Sequence, residues 1–346
     1  DDHFQDLKRL IAAASGKAKR MNVIMPYLYE GRVSLRGDRE SLDCASALQE
    51  LVDMGVENII TFDAHDVRVQ NATPLYGLET VRPAYQFVKA LFGEVEDIEI
   101  DKDKLMIISP DRGGMDRAIY LATVLHVNMG MFYKRRSIED VKNAQAGETA
   151  GADETNVSDV QAEQQEAKVG EAVSKDQAAV TEDPEKQQEA KKEEDINADG
   201  TIFLGPSVKG MDVIIVDDMI SSGTTVLETA KKLKHAEAKR VFICASFGLF
   251  TKGLDAFDKA SAEGYFDKLL TTNMIYQPEE LKDKTYYIKC DMSKYIALII
   301  DTLNHEKSLS SLLNPYERIK SYVEAHKAGK GQEESEPELK PESGAN

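Results

Sequence analysis

Residues 213–225, Val-Ile-Ile-Val-Asp-Asp-Met-Ile-Ser-Ser-Gly-Thr-Thr, decide the fold. Val213–Val216 are four consecutive β-branched residues, a run that suits a strand buried on both faces. The run ends in two carboxylates, Asp217 and Asp218. A turn of Ser221, Ser222, Gly223, Thr224 and Thr225 follows, and a helix is expected over Thr225–Lys234. Strand, acid pair, hydroxyl-and-glycine loop and helix make, in that order, a sugar-phosphate site. The loop N–H groups and the positive end of the helix hold a phosphate, and the acids hydrogen-bond neighbouring sugar hydroxyls. An ordinary strand end with a polar cap accounts for one acid and one hydroxyl, but not for two adjacent acids before four hydroxyls. The loop has neither the Gly-x-x-x-x-Gly-Lys of a Walker loop nor the Gly-x-Gly-x-x-Gly of a dinucleotide site.

The same alternation extends in both directions. Upstream, strands are expected at Met21–Met25, Val56–Phe62, Lys104–Ser109 and Asn128–Tyr133. Helices are expected at Leu42–Met54 (capped by Ser41), Ala84–Leu91 and Met115–Leu125. Downstream come strand Arg240–Ser246, a helix near Leu254–Ala262 and strand Lys268–Thr271. Repeated β-α-β with short apolar strands predicts an α/β protein with doubly wound parallel sheets, whose ligands sit at the carboxyl ends of the strands.

The 346 residues are enough for two domains, and 42% of them are hydrophobic. A net charge of −18 argues against nucleic-acid and anionic-membrane partners. Much of that charge is local: residues 140–195 hold sixteen acids and six bases. This segment, within 140–198, is rich in Ala, Gln, Glu and Lys, lacks aromatics, and is expected to be a disordered insert; residues 328–346 read as a disordered tail. An interaction segment for a basic partner is the alternative reading of the acidic run. Cys44, Cys244 and Cys290 are far apart and sit in apolar stretches, which suggests a reducing cytoplasm and neither a disulfide framework nor a zinc site. No run is apolar for long enough to span a membrane, and no signal peptide is expected. The opening at Asp1, already inside a helical pattern, reads as a fragment.

Four further stretches carry chemistry. In Ile107–Arg117, Ile-Ile-Ser-Pro-Asp-Arg-Gly-Gly-Met-Asp-Arg, Asp111 follows a strand and Gly113 and Gly114 let backbone N–H groups approach a ligand closely. Ile59–Gln70, with Phe-Asp-Ala-His-Asp at 62–66, places Asp63, His65 and Asp66 at another strand end, a cluster better suited to Mg2+ than to zinc. Met25–Glu40 brings Arg32, Arg36 and Arg39 together. Met131–Arg136 ends a strand in Lys134, Arg135 and Arg136.

Taken together and in this order, the motifs resemble those of the ribose-phosphate diphosphokinases, the PRPP synthetases, within the type I phosphoribosyltransferase fold. The 217–225 stretch resembles their PRPP loop, Asp-Asp-x-x-Asp-Thr-Gly-x-Thr, with Ser221 and Ser222 in place of the third Asp and first Thr. The 110–114 stretch resembles their Pro-Asp-x-Gly-Gly pyrophosphate loop, and 59–70 their Met-Asp-Leu-His-Ala segment. Residues 25–40 resemble the nucleotide segment, with Val33-Ser34 where the family has Gln-Asp. Lys134 and Arg136 match the Lys-x-Arg at the root of a mobile catalytic loop.

This resemblance implies two phosphoribosyltransferase-like domains. The first, residues 1–80, is amino-terminally truncated and completed by the helical segment 292–325. The second, residues 81–291, carries the PRPP loop and is interrupted by the insert. It implies transfer of the diphosphoryl group of ATP to ribose 5-phosphate, with Mg2+, in a homo-oligomer. In that scheme Asp217, Asp218 and Ser221–Thr225 bind ribose 5-phosphate, and Arg32, Arg36 and His65 bind nucleotide. Asp111, Gly113 and Gly114 cradle diphosphate, His65 and Asp111 serve the metal, and Lys134 and Arg136 serve catalysis. Two other readings remain at this stage. One is a non-catalytic regulatory or assembly subunit, and the other a phosphoribosyltransferase that consumes PRPP without ATP.

Overall fold

A computed structural model describes residues 1–33, 40–134 and 201–328. The chain divides into two compact units, Asp1–Thr80 with Phe132–Leu204, and Val81–Met131 with Gly205–Asn346.

The first unit begins with helix α1 (Asp2–Ala14), strand β1 (Met21–Met25), helix α2 (Asp43–Asp53) and strand β2 (Val56–Phe62), then a 3-10 helix at Val67–Ala72 and strand β3 (Gly77–Val81). The sheet runs in the order β1-β2-β3, and β1 pairs parallel with β2. Phe4 and Ile11 on α1 and Leu48 and Leu51 on α2 cover it, packing with Val23, Ile59 and Leu78. A connection from β1 to a parallel neighbour needs a crossover, and α2 supplies it. Ser41 does not cap α2: Leu42 holds the cap position without a side-chain bond, and the Ser41 hydroxyl donates instead to the Asp43 carboxylate at 2.6 Å.

The second unit is built on a six-strand run: β4 (Leu105–Ser109), β5 (Asn128–Lys134), β7 (Asp212–Ile220), β8 (Arg240–Gly248), β9 (Lys268–Thr272) and β10 (Tyr287–Cys290), in the spatial order β10-β9-β8-β7-β4-β5. The pairings β10–β9, β9–β8, β8–β7, β7–β4 and β4–β5 are all parallel. Where β5 passes into the first unit, β6 (Thr201–Leu204) lies beside it, and Phe132 and Phe203 meet at 5.1 Å. Helices α3 (Ala84–Glu94), α4 (Met115–Leu125), α5 (Thr224–His235) and α6 (Asp255–Ala262) link the strands. The parallel α/β architecture read from the alternation is therefore present in both units, and the central strands are continuous apolar runs because both faces are covered.

Three strands, β3, β6 and β10, are additions to the sequence reading. A further difference is at β7, which runs to Ile220 rather than stopping at Val216. Its pairing with β8 continues through Asp217↔Ala245 to Ile220↔Gly248, so the acid pair lies within the strand.

The carboxyl-terminal helices are a correction. Residues 292–325 do not complete the first unit: α7 (Ser293–Asn304), α8 (Ser310–Leu313) and α9 (Tyr316–Lys327) belong to the second. Ile319, Tyr322 and Val323, spaced to form one helical stripe, are buried in the core that also holds Tyr85, Phe92, Leu121 and Leu125. The Tyr322 hydroxyl donates to the Lys89 carbonyl at 3.3 Å, and the His326 ring lies 3.2 Å from the Ile98 carbonyl. The insert at 140–198 and the tail from residue 329 lie outside the described residues.

Ile319 is fully buried. Ile319→Ala is expected to lower unfolding free energy by about 2–4 kcal/mol in a denaturant titration. A change below about 0.5 kcal/mol would mean that α9 does not share this core.

Candidate functional site

The site is assembled where β4 ends beside β7, which runs on past it to Ile220. Their parallel register, Leu105↔Asp212 through Ile108↔Ile215, brings the loops that follow them out at the same edge of the sheet. After β4, the buried Ser109 hydroxyl donates to the Asp111 carbonyl at 2.6 Å, and the Asp111 carboxylate accepts the Gly114 N–H at 3.0 Å. Asp111 and Gly113 stay exposed at the loop tip. Gly114 has an ordinary φ of −80°, and packing is what requires glycine there. A Cβ would stand 2.8 Å from Ser109 Oγ and 3.3 Å from the Val216 carbonyl. The loop is thereby pressed against β7, and α4 starts directly behind it.

On β7, the Asp217 carboxylate accepts the Asp218 N–H at 2.8 Å, and Asp218 is only 4% exposed. Arg117, on the first turns of α4 and itself buried, reaches both loops. Its Nη1 donates to the Gly113 carbonyl at 3.3 Å, and its Nη2 lies 3.9 Å from Asp218 Oδ2. Burial first, then the neighbouring Asp218 and Asp111 charges, hold the Asp217 carboxyl well above its ordinary 3.8, with Arg117 opposing them. Three carboxylates thus share one field with one guanidinium.

Beyond the acid pair, the chain turns at Gly223, whose φ of 86° lies in the left-handed region. A Cβ there would also fall 2.3 Å from Phe257 Cζ on α6, so glycine is required for space as well as for conformation. Ser222 is buried and its hydroxyl is 3.0 Å from Thr224 Oγ1; Thr224 and Thr225 are exposed. Helix α5 has no acid in its first turn and carries Lys232, Lys234 and His235 in its last, both favourable to its dipole. The loop is pinned from the neighbouring strand: Leu249 N–H donates to the Ile220 carbonyl at 2.9 Å, and Thr251 N–H to the Ser221 carbonyl at 3.0 Å. Ser221 Oγ lies 3.5 Å from Thr251 Oγ1. The arrangement offers N–H groups and hydroxyls for a phosphate beside carboxylates for a diol, all on one rigid edge.

In the first unit, Asp63 is buried at a left-handed φ of 40°, and the Ala64 N–H donates to Thr80 Oγ1 at 3.0 Å. His65 and Arg32 are half-buried. The metal cluster expected from Asp63, His65 and Asp66 is not assembled. Asp66 accepts the Arg68 N–H and pairs with its guanidinium at 2.6 Å, and no group of three His, Cys, Asp or Glu suited to a metal occurs among the described residues. Lys134 closes β5; Arg36 and Arg136 lie outside the described residues.

The reading of the sequence gave no role to Arg117, Ser109 or Thr251. Arg117 was the one of the three with a visible signal, a cation on the inner face of an otherwise apolar helix.

A family profile described as "Phosphoribosyl transferase domain" matches residues 78–264, more than half of the chain. The ribose-phosphate pyrophosphokinase of Mycoplasmopsis pulmonis (strain UAB CTIP) is 24% identical over 302 residues, 86% of this chain and 73% of that protein. That of Mycoplasma pneumoniae (strain ATCC 29342 / M129 / Subtype 1) is 26% identical over 280 residues, 80% of this chain and 66% of that one. Among solved structures, phosphoribosylpyrophosphate synthetase from Mycobacterium smegmatis superposes with a TM-score of 0.59 at 20% identity, covering 87% of this chain and 77% of that one. At that identity the superposition speaks for the fold.

The raised Asp217 carboxyl has a consequence for stability. The fold prefers the protonated form, so this contribution is fully present below about pH 3.8 and is lost as pH rises through the folded value. Asp217→Asn, which mimics that form, is expected to raise the melting temperature of the ligand-free protein near pH ~7, by roughly 2–4 °C per kcal/mol gained, with the gain shrinking towards pH ~4. Melts across that range check it, and a variant less stable than wild type near neutrality would contradict the assignment.

Proposed function

The chain belongs to the phosphoribosyl transferase domain family, and on that premise we propose that it acts as a divergent ribose-phosphate diphosphokinase, converting ATP and ribose 5-phosphate to AMP and PRPP. The observation that carries this reading is the side-by-side placement of the Asp111–Gly114 loop and the Asp217–Thr225 loop on adjacent parallel strands. A sugar-phosphate acceptor and a diphosphoryl donor each need an anion cradle, and transfer between them needs the two cradles within a few ångströms.

In this scheme Asp217 and Asp218 accept hydrogen bonds from the ribose 2- and 3-hydroxyls. Ser222, Thr224, Thr225 and the first N–H groups of α5 hold the 5-phosphate, with Ser221 and Gly223 shaping the turn. The exposed Gly113 backbone faces the diphosphate, and Gly114, whose N–H is held by Asp111, lets the loop lie close against β7. The 1-hydroxyl oxygen attacks the β-phosphorus of ATP in line. The new O–P bond forms as the bond to the α,β-bridging oxygen breaks, AMP leaves with that oxygen, and the hydroxyl proton passes to solvent. Lys134 and Arg136 offset the charge that develops, and Arg32, Arg36 and His65 serve the nucleotide. Catalysis of this kind is positioning and electrostatics.

The donor set suits Mg2+. Asp111 keeps one carboxylate oxygen clear of its loop bond, and a cation held by few carboxylates completes its shell with water and substrate phosphate oxygens. The bound ion would supply charge neutralisation of the diphosphoryl group. The same reading makes the protein a cytoplasmic homo-oligomer that binds neither membranes nor nucleic acids. All three cysteines are free and buried, and among the described residues no helix is long and apolar enough to cross a membrane.

One observation favours the second reading, a non-catalytic partner of an active synthetase. Ser221, where the family has an aspartate, has its hydroxyl beside Thr251 and carries no charge into the site. AMP formation from ATP and Mg2+, measured with and without ribose 5-phosphate, separates the two. Sugar-dependent AMP is expected, and Asp218→Asn should reduce it by about 10²–10³-fold, as should Lys134→Ala through kcat with little change in KM. Sugar-phosphate binding without any AMP would transfer the assignment to the non-catalytic partner.

A further inference from the structure

Transfer of the diphosphoryl group leaves one cation beside the acid pair without a task, Arg117. The bonds that shape the Asp111–Gly114 loop are local in sequence. Ser109 donates to the Asp111 carbonyl, the Asp111 carboxylate accepts the Gly114 N–H, and the Arg117 and Ala118 N–H groups both donate to the Gly114 carbonyl at 3.1 Å. Close packing at Gly114 presses the loop against β7 without bonding it there. Arg117 crosses that gap. Its Nη1 donates to the Gly113 carbonyl at 3.3 Å, and its Nη2 lies 3.9 Å from Asp218 Oδ2. Both side chains are nearly sealed from water, at 9% and 5% exposure, so packing sets their relation.

The helix that carries Arg117 is itself fixed. Ala118, Leu121, Ala122 and Leu125 of α4 are buried in the core of the second unit. Three residues beyond Arg117, a second charged arrangement holds the same helix. Arg82, just before the Pro83 cap of α3, places its Cζ 4.9 Å from the centre of the Tyr120 ring, and Arg318 on α9 acts on the same hydroxyl. A guanidinium presents its donors in one rigid plane, so two partners that it engages are fixed relative to each other. An ammonium on a flexible stem supplies charge without that constraint.

We propose that Arg117 is a positioning residue. Its guanidinium ties the Asp111–Gly114 loop to Asp218, so that the diphosphate and ribose subsites form one unit and a ligand on the acid pair steadies the loop beside it. This role rests on the diphosphokinase reading and deepens it. Arg117 touches no reacting atom and acts through alignment, to which transfer between two bound groups is sensitive: a displacement of about 1 Å can cost about 10²-fold in rate. The rival account gives Arg117 only a charge to offset, since a buried carboxylate left unpaired is costly and any cation there would serve.

Arg117→Lys separates the fork from the charge. In the full chain without ligand, amide hydrogen exchange read by mass spectrometry should quicken about 5–10-fold over residues 110–118 and stay unchanged over 241–247 in β8. Ribose 5-phosphate with Mg2+ should protect 217–225 in both proteins, but 110–118 only in wild type. In turnover, kcat for AMP formation should fall about 10–100-fold while KM for ribose 5-phosphate moves less than about 3-fold. Asp218→Asn cuts the same tie from the other end with a side chain of the same shape, so its exchange over 110–118 decides the matter if Arg117→Lys fails to fold. Exchange over 110–118 as slow as in wild type, or an unchanged kcat, would overturn the role and leave charge offset alone. Absence of protection at 217–225 in wild type would instead count against the ribose 5-phosphate reading, and the ligand-free comparison would still decide the tie.

Discussion

The parallel pairing of β4 with β7 is the constraint on which the site depends. It sets the Asp111 loop, which leaves the sheet after β4, beside the Asp217–Asp218 pair on β7. The Gly114 backbone then closes the distance, since nothing larger fits between Ser109 and Val216. Carboxylates that are remote in sequence are thereby forced into a common field, and Asp217, held back from ionising chiefly by its burial, is pushed further the same way by Asp218 and Asp111. Perturbed acids in a supported cleft are what functional sites accumulate. The fold tolerates the strain because the strands beneath are fully buried: Ile107, Ile108, Val213 and Ile215 are all at 0% exposure.

Arg117 keeps that field from being worse. One side chain on α4 touches the carbonyl of the diphosphate-type loop and approaches Asp218, so it fixes the two loops relative to each other while offsetting their charge. A buried cation shared between two anionic elements is weak evidence for stability and better evidence for specified geometry. The Ser221–Thr225 loop is fixed by a different means. Gly223 packs on Phe257, which meets Phe250 edge-on at 5.3 Å, and the backbone of Leu249 and Thr251 bonds back to Ile220 and Ser221. The hydroxyls of Ser222, Thr224 and Thr225 are thus carried on a turn whose shape is determined by core aromatics and not by solvent.

The parts of this that could be read from sequence are those in which the chemistry is local. Strand, acid, glycine and hydroxyl follow one another along the chain in both loops, so Asp111, Gly113, Gly114, Asp217, Asp218 and the 221–225 turn could be picked out residue by residue. The alternation of period gave the parallel α/β class for the same reason. Long-range contact was not legible. Nothing near Arg117 announces Asp218, and nothing in Tyr316–Lys327 says which core its stripe will enter. The expectation that 292–325 would complete the first unit failed there, because an amphipathic helix specifies a face without specifying a partner. The strand β7 was read as too short because two adjacent acids look like an end, yet its pairing with β8 continues past them. The cluster at Asp63–Asp66 was misread for a related reason: proximity in sequence suggested a metal site, while Arg68 two residues on had already taken Asp66.

Helix α4 connects the two charged arrangements of the second unit. Its first turn backs the Asp111–Gly114 loop, Arg117 offsets the acids, and Tyr120, three residues on, stands under Arg82. Residues three apart on a helix point the same way, so a single face passes from an anion-rich end to a cation-rich one within about one turn. The overall charge of −18 conceals this sorting, since many of the acids are concentrated elsewhere and Arg82 forms no ion pair among the described residues. A surface built only for solubility would intersperse the two signs. Segregation of this kind on a packed helix is maintained against repulsion, and the residues that maintain it are stacked rings and a buried guanidinium. Physically, α4 is less a spacer between β4 and β5 than the element on which the charge pattern of this unit is laid out.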